Sequence, residues 1–192
     1  MSTRAYVFLA EGFEEIEALT PVDLLRRAGV DVTTVSIGGG GAVEVTGSHG
    51  ITVRADVAMS DLHVPEEGYD ALILPGGLPG AENLRDDKDL LALLKKGHAA
   101  GAWICAICAA PAYVLGTGGA ALLEGKRFTC YPGAEKEAGQ GIHLSGERVV
   151  TDGKLITAIG LGAAAEFSQE IIARLLGEET ARKIHSSTVQ RD

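Results

Sequence analysis

The chain has 192 residues, enough for one domain with a sizeable hydrophobic core. Its composition, 46% hydrophobic and 22% charged, is that of a globular protein, and its net charge of −9 argues against nucleic acid and anionic membranes, which both attract clustered Lys/Arg. No apolar run approaches the roughly 18 residues of a membrane span. Three cysteines are too few, and odd in number, for a disulfide framework, so a leaderless chain in a reducing cytoplasm is expected.

Short apolar runs alternate with helical patterns. AYVFLA reads as a strand and EEIEALTPVDLLRRAG as a helix closed by a glycine, with Ile16 and Leu19 expected on its core face and a kink expected at Pro21. VDVTTVSIG is a second strand, followed by the GGGG loop and a hairpin, VEVTG and ITVRAD, turning at GSHG. DALILPGG is a buried strand ending in a glycine turn. DDKDLLALLKKGHAAG is a helix with acids first and lysines last, as the helix dipole favours. AWICAI is a strand, AAPAYVLG a helix and RFTCYP another strand. VVTDGKLITAIG is a hairpin through Asp-Gly. GAAAEFSQEIIARLLG is a helix, and EETARKIH is one more.

This alternation predicts an α/β fold with a mostly parallel sheet covered on both faces, and a single domain over residues 1–192. Sites in such sheets form at the carboxyl ends of strands. Three ends carry the interest: AEGFEE, DALILPGG and AWICAI.

The stretch WICAICAAPA holds two cysteines three residues apart. A dithiol would place both at a helix start. Here Cys105 lies inside the strand run, and strand alternation would turn Cys105 and Cys108 to opposite faces. Zinc would need two further ligands at matching spacing, and neither Cys130 nor the histidines supply them, so no metal is expected. Cys108 falls where the strand stops and a helix begins, with Pro111 in its first turn. Such an elbow presents nucleophiles, and a helix start favours the reactive thiolate. The competing reading is an inert core cysteine, which suits Cys105 and Cys130.

Cys108 wants a proton partner. Glu17, after the first strand, is either a solvated helix-start carboxylate or a buried acid. In the second case it would stay protonated beside a thiolate and shuttle protons. Gly76 and Gly77 let backbone amides face the site, and the Gly77 and Ala109 amides are candidates for an oxyanion hole. The GGGG run lacks the context of a phosphate loop, and no cofactor is expected.

At these residues the chain resembles the DJ-1/PfpI (ThiJ) family, in the branch of the Parkinsonism-associated protein deglycase. AEGFEEIEALTPVDLLRRAG, LPGGLPGAENL, AICAAPA and EFSQEIIARLLG carry the resemblance, in family order over nearly the whole chain. It implies a flavodoxin-like three-layer sandwich, class I glutamine amidotransferase-like, and a homodimer packed partly through the first helix. It matches Cys108 to the family's reactive cysteine and Glu17 to the acid that hydrogen-bonds it. Gly77 and Ala109 match the amides beside the sulfur, and Arg27 matches an arginine reaching the partner subunit's site. Tyr131 stands where relatives carry a histidine. His49 stands where relatives carry an arginine at the site entrance, either to bind an anion or to cap the turn.

The resemblance implies a cysteine-dependent, cofactor-independent glyoxalase or deglycase acting on a small carbonyl substrate such as methylglyoxal, or on glycated protein. The alternative is a redox sensor or chaperone-like stress protein acting through oxidation of Cys108. A peptidase would carry a histidine directly after the nucleophile, where this chain has Ala109.

Overall fold

The computed structural model describes residues 2–63 and 68–191. The strands are β1 (Arg4–Ala10), β2 (Asp31–Ile37), β3 (Glu44–Thr46), β4 (Thr52–Arg54), β5 (Val57–Ala58), β6 (Ala71–Leu74), β7 (Trp103–Ile107), β8 (Arg127–Phe128), β9 (Ile142–His143), β10 (Val149–Asp152) and β11 (Leu155–Ala158). The helices are α1 (Glu15–Arg27), α2 (Gly80–Asp86), α3 (Lys88–Ala99), α4 (Ala110–Leu115), α5 (Ala164–Leu176) and α6 (Glu178–Ser187).

Seven strands form one sheet in the order β10-β11-β7-β6-β1-β2-β5, parallel except for the β10–β11 hairpin. Side chains alternate across it. On β1, Ala5, Val7 and Leu9 enter one core with Val22 and Leu25 of α1 and Phe167 and Ile171 of α5. Tyr6, Phe8 and Ala10 enter a second core with Leu84 of α2, Leu90 and Leu94 of α3, and Val114 of α4. Each fully buried Phe or Leu contributes about 1.5–3 kcal/mol of transfer free energy. Two apolar faces on one sheet require helices on both, which makes the three-layer α/β sandwich that the sequence predicts.

The chain first builds outward from β1 to β2 and β5, then returns to place β6 on the other side of β1. The strand order reverses there, and the carboxyl ends of β1 and β6 flank a crevice.

The expected hairpin at GSHG forms as β3–β4, and the Asp-Gly hairpin as β10–β11. Two expectations are corrected. Ile16 is 48% exposed and Leu19 half-buried, because the inward stripe of α1 runs through Glu17, Ala18, Pro21, Val22 and Leu25. Only Arg127 and Phe128 of RFTCYP are strand, and they pair with β9 outside the main sheet. Thr129 turns the segment away by bonding the Thr157 hydroxyl and the Glu147 carbonyl. The glycine turn expected after DALIL forms and leads into α2, and Asp87 then caps α3 by accepting the Leu90 amide at 2.8 Å.

Candidate active site

Four strand ends meet at the crevice. β7 ends at Ile107, and Cys108 follows with φ 64°, a left-handed conformation that costs a non-glycine residue about 1–3 kcal/mol. It is held from both sides. The Cys108 amide donates to the Ala158 carbonyl at 2.9 Å, and the Cys108 carbonyl accepts from the Tyr131 amide at 2.8 Å. The left-handed turn also ends the strand alternation. Cys108 therefore packs against the same core as Cys105, and the expected opposite facing does not occur. All three cysteines are free thiols. Cys105 and Cys130 are buried and Cys108 is half-buried. Burial pushes the Cys130 thiol up to about 12 and the Cys105 thiol up as well.

Glu17 enters from α1. Glu14 caps that helix, its carboxylate accepting the Glu17 amide at 2.7 Å. Glu17 continues the buried stripe of α1 upward, past the last apolar neighbours, so its carboxyl is 1% exposed and reaches the Cys108 sulfur. The Gly76 amide donates to Glu17 Oε2 at 3.0 Å, and the Leu161 amide lies near enough to favour the ionised carboxyl. Burial pushes Glu17 up to about 7, and the nearby Glu14 charge adds to this. Cys108 and the Gly76 and Leu161 amides pull the other way.

The amides of Gly77 and Ala109 lie near enough to the sulfur to favour its ionised form. Burial nevertheless raises the Cys108 thiol, and an ionised Glu17 raises it further. The expectation that a helix start leaves a free thiolate is thus corrected. α4 is six residues long, and burial outweighs what its end and the two amides contribute. Glu17 and Cys108 form a coupled pair that resists losing both protons. In the singly deprotonated pair, the tautomer that keeps the proton on Glu17 carries a thiolate facing that acid.

The glycines permit this approach. A Cβ on Gly76 would meet Cys108 Cβ and Glu17 Oε2, each at 2.6 Å. Gly77, at φ 85°, sits where a Cβ would strike the Glu14 amide at 2.5 Å. The Gly76 carbonyl accepts that amide at 2.9 Å, joining the end of β6 to the start of α1.

Tyr131 reaches the site. A Cβ on Gly160 would touch the Tyr131 ring at 3.6 Å, Glu17 Oε1 at 3.8 Å and Cys108 Sγ at 3.9 Å. His49 belongs to a neighbouring cluster. Its amide and ring Nδ1 lie 2.8 and 2.9 Å from the Glu15 carboxylate, and Glu14 is 4.0 Å from the ring. Burial alone would raise Glu15, but bonds from the His49 ring and amide, and from the Ile51 amide, hold it at about 2. The Glu15 carboxylate in turn raises His49. Arg27 pairs with Asp23 at 2.7 Å at the far end of α1, roughly 15 Å along the helix from Glu17 by its rise per residue. The structure does not bring it to the sulfur of its own chain.

Sequence reading missed Gly160 and the Leu161 amide. The signal was the glycine directly after ITAI. β11 reads as the return strand of a hairpin, yet it also runs parallel beside β7 with Ala158 opposite Ile107, so its end abuts Cys108.

The family description "DJ-1/PfpI family" matches residues 3–174. The chain is 40% identical over 183 residues to Protein DJ-1 homolog B of Arabidopsis thaliana, covering 95% of this chain and 40% of that protein. It thus spans less than half the length of this relative. It is 30% identical over 173 residues to a protein named deglycase from Pyrococcus abyssi, covering 90% of this chain and 99% of that one. A solved structure described as Toxoplasma gondii DJ-1, oxidized, superposes with a TM-score of 0.91 at 38% identity, covering all of both chains.

Proposed function

The chain belongs to the DJ-1/PfpI family, and on that premise we propose that its Cys108–Glu17 pair acts on α-oxoaldehydes as a cofactor-independent glyoxalase or deglycase, within a single domain. One observation carries this reading: a buried carboxyl, raised to about 7 and held by the Gly76 amide, faces a half-buried cysteine sulfur across Gly160. Nucleophile, proton carrier and amide donors stand at one strand-end crevice.

The steps balance without a cofactor. The Cys108 thiolate adds to the aldehyde carbon of R–CO–CHO, and the new alkoxide takes the Glu17 proton, giving a hemithioacetal. The Gly77 and Ala109 amides stabilise the oxygen charge as it forms. Glu17, now ionised, removes the proton from the former aldehyde carbon, giving an enediolate. The proton returns to the neighbouring carbon, giving the thioester R–CH(OH)–CO–S–Cys. Water cleaves the thioester, releases R–CH(OH)–COOH and restores the thiol. The sum is R–CO–CHO plus water to a 2-hydroxy acid, methylglyoxal to lactate. The name of the Pyrococcus relative supports the same pair acting on early glycation adducts. The test is methylglyoxal consumption in amine-free phosphate buffer with lactate measured in parallel. Matched loss and gain support the reading, and neither occurring counts against it.

A second reading is favoured by the oxidised Toxoplasma relative and by Cys108 being the least buried cysteine here. Peroxide would take the thiolate to sulfenic and then sulfinic acid, one equivalent per step, with Glu17 bonding the product. Intact mass after mild peroxide tests it. Oxidation that spares Cys108 rules it out. We also infer that two copies pack through α1, where Ile16 leaves 48% of its surface exposed. A monomeric mass by light scattering would refute that.

A further inference from the structure

Seven large apolar side chains are prominently exposed among the described residues, and three of them are rooted at the Cys108 crevice. Isolated exposed apolar residues are ordinary, whereas a group gathered at a site marks what that site receives. Leu78, 52% exposed, follows Gly77, whose amide lies near the sulfur. Leu161, 50% exposed, supplies the amide near the Glu17 carboxyl. Tyr131, 56% exposed, is tied through its own amide to the Cys108 carbonyl, and its ring shares the space at Gly160 with the sulfur and the Glu17 carboxyl.

The donors that serve the pair are backbone amides, which fix the reacting atoms without choosing a substituent. His49 is engaged by Glu15, and Arg148, which bonds the Gly162 carbonyl beside Leu161, is engaged by Glu166. Glu14 is close enough to Glu17 to act on its charge. An anionic substituent would therefore meet carboxylates, and a neutral apolar one would meet the Tyr131 ring, with exposed Leu78 and Leu161 next along the chain from Gly77 and Gly160.

We propose that Leu78, Tyr131 and Leu161 form an apolar collar that selects α-oxoaldehydes with a branched or aromatic substituent over glyoxal and over α-oxoaldehydes whose substituent carries a carboxylate. This rests on the reading of Cys108 as the α-oxoaldehyde nucleophile. Apolar pockets discriminate by roughly 10–200-fold for a methylene-sized difference, and a collar open on one side falls toward the lower end.

The experiment measures kcat/KM for glyoxal, 4-carboxyphenylglyoxal and phenylglyoxal with the wild type and with Leu78→Ser, Tyr131→Ser and Leu161→Ser. The wild type is expected to handle phenylglyoxal better than glyoxal and better than its carboxylate-bearing analogue. The phenylglyoxal-to-glyoxal ratio is expected to fall about tenfold in the Tyr131 and Leu161 variants. A ratio unchanged in all three variants, with turnover intact, overturns the collar and leaves the enzymatic reading standing. If the wild type turns over none of the three, the enzymatic reading fails, and alkylation of Cys108 then decides the collar. N-phenyl iodoacetamide should react faster than iodoacetamide, relative to a free thiol, and the variants should lose that advantage. No advantage in the wild type overturns the collar here too.

Discussion

The Glu17 carboxyl, which accepts the Gly76 amide at 3.0 Å, faces the Cys108 sulfur, and both border the position of a Cβ on Gly160, at 3.8 and 3.9 Å. Two acids that share a proton titrate as one unit. The first proton lost from the pair leaves a monoanion in which part of the population is thiolate, and the second leaves the sulfur fully ionised. The rate of Cys108 alkylation against pH is therefore expected to rise in two steps, the lower one near pH 7, where Glu17 titrates. Glu17→Gln removes the partner charge and should leave a single step. A single step in both proteins would separate the two residues.

Gly76 is the contact that admits the pair. Its Cβ position lies 2.6 Å from both Cys108 Cβ and Glu17 Oε2, in a region where backbone and helix cannot both yield. Gly76→Ala is expected to cost about 1–3 kcal/mol by overpacking. It should also speed Cys108 alkylation at pH 7, since a displaced carboxylate no longer raises the thiol. Thermal melts and alkylation rates check both, and unchanged reactivity would mean that the pair tolerates separation.

Cys105 and Cys108 separate by role. Cys105 is fully buried and packs among Ile73, Ile107 and Ile156. Cys105→Ser should lower stability by about 1–3 kcal/mol, because a hydroxyl would be buried there without a partner. It should leave alkylation at Cys108 within about twofold, a difference too small to count as loss of a reacting group. Abolished reactivity would restore a dithiol.

The His49–Glu15 pair predicts a pH window of stability. Glu15 is held at about 2 against its ordinary 4.5, so its contribution is present above 4.5 and is lost as pH falls toward 2. His49 is raised above its ordinary 6.5, so its contribution is present below 6.5 and is lost as pH rises through the raised value. The melting temperature of His49→Ala should therefore fall furthest below the wild type between about pH 4.5 and 6.5. At pH 9 the gap should narrow to what the neutral contacts supply. A gap independent of pH would mean that the ring serves the turn without its charge.

Much of this was legible in the sequence. Strand alternation and helix stripes are local patterns, and they yield the sandwich because burying both faces of β1 leaves few alternatives. Cys108, Gly76 and Gly77 are legible because an elbow and a close approach demand particular small residues. What escaped depends on neighbours in space. Ile16 looks like a core residue until Glu17 is seen to occupy the inward stripe, since a carboxyl is expected outside unless partners await it. Those partners come from β6 and from the loop after β11, distant in sequence. The ionisation of Cys108 likewise depends on burial and on Glu17, and a helix-start argument omits both.

The most direct test of the central claim is lactate formation from methylglyoxal by the wild type, Cys108→Ala and Glu17→Gln in phosphate buffer. The account predicts turnover by the wild type and a loss of at least about a hundredfold in each variant, the scale of a nucleophile or a positioned proton carrier. Lactate formed at the wild-type rate by either variant would contradict it, because the chemistry would not then run through this pair.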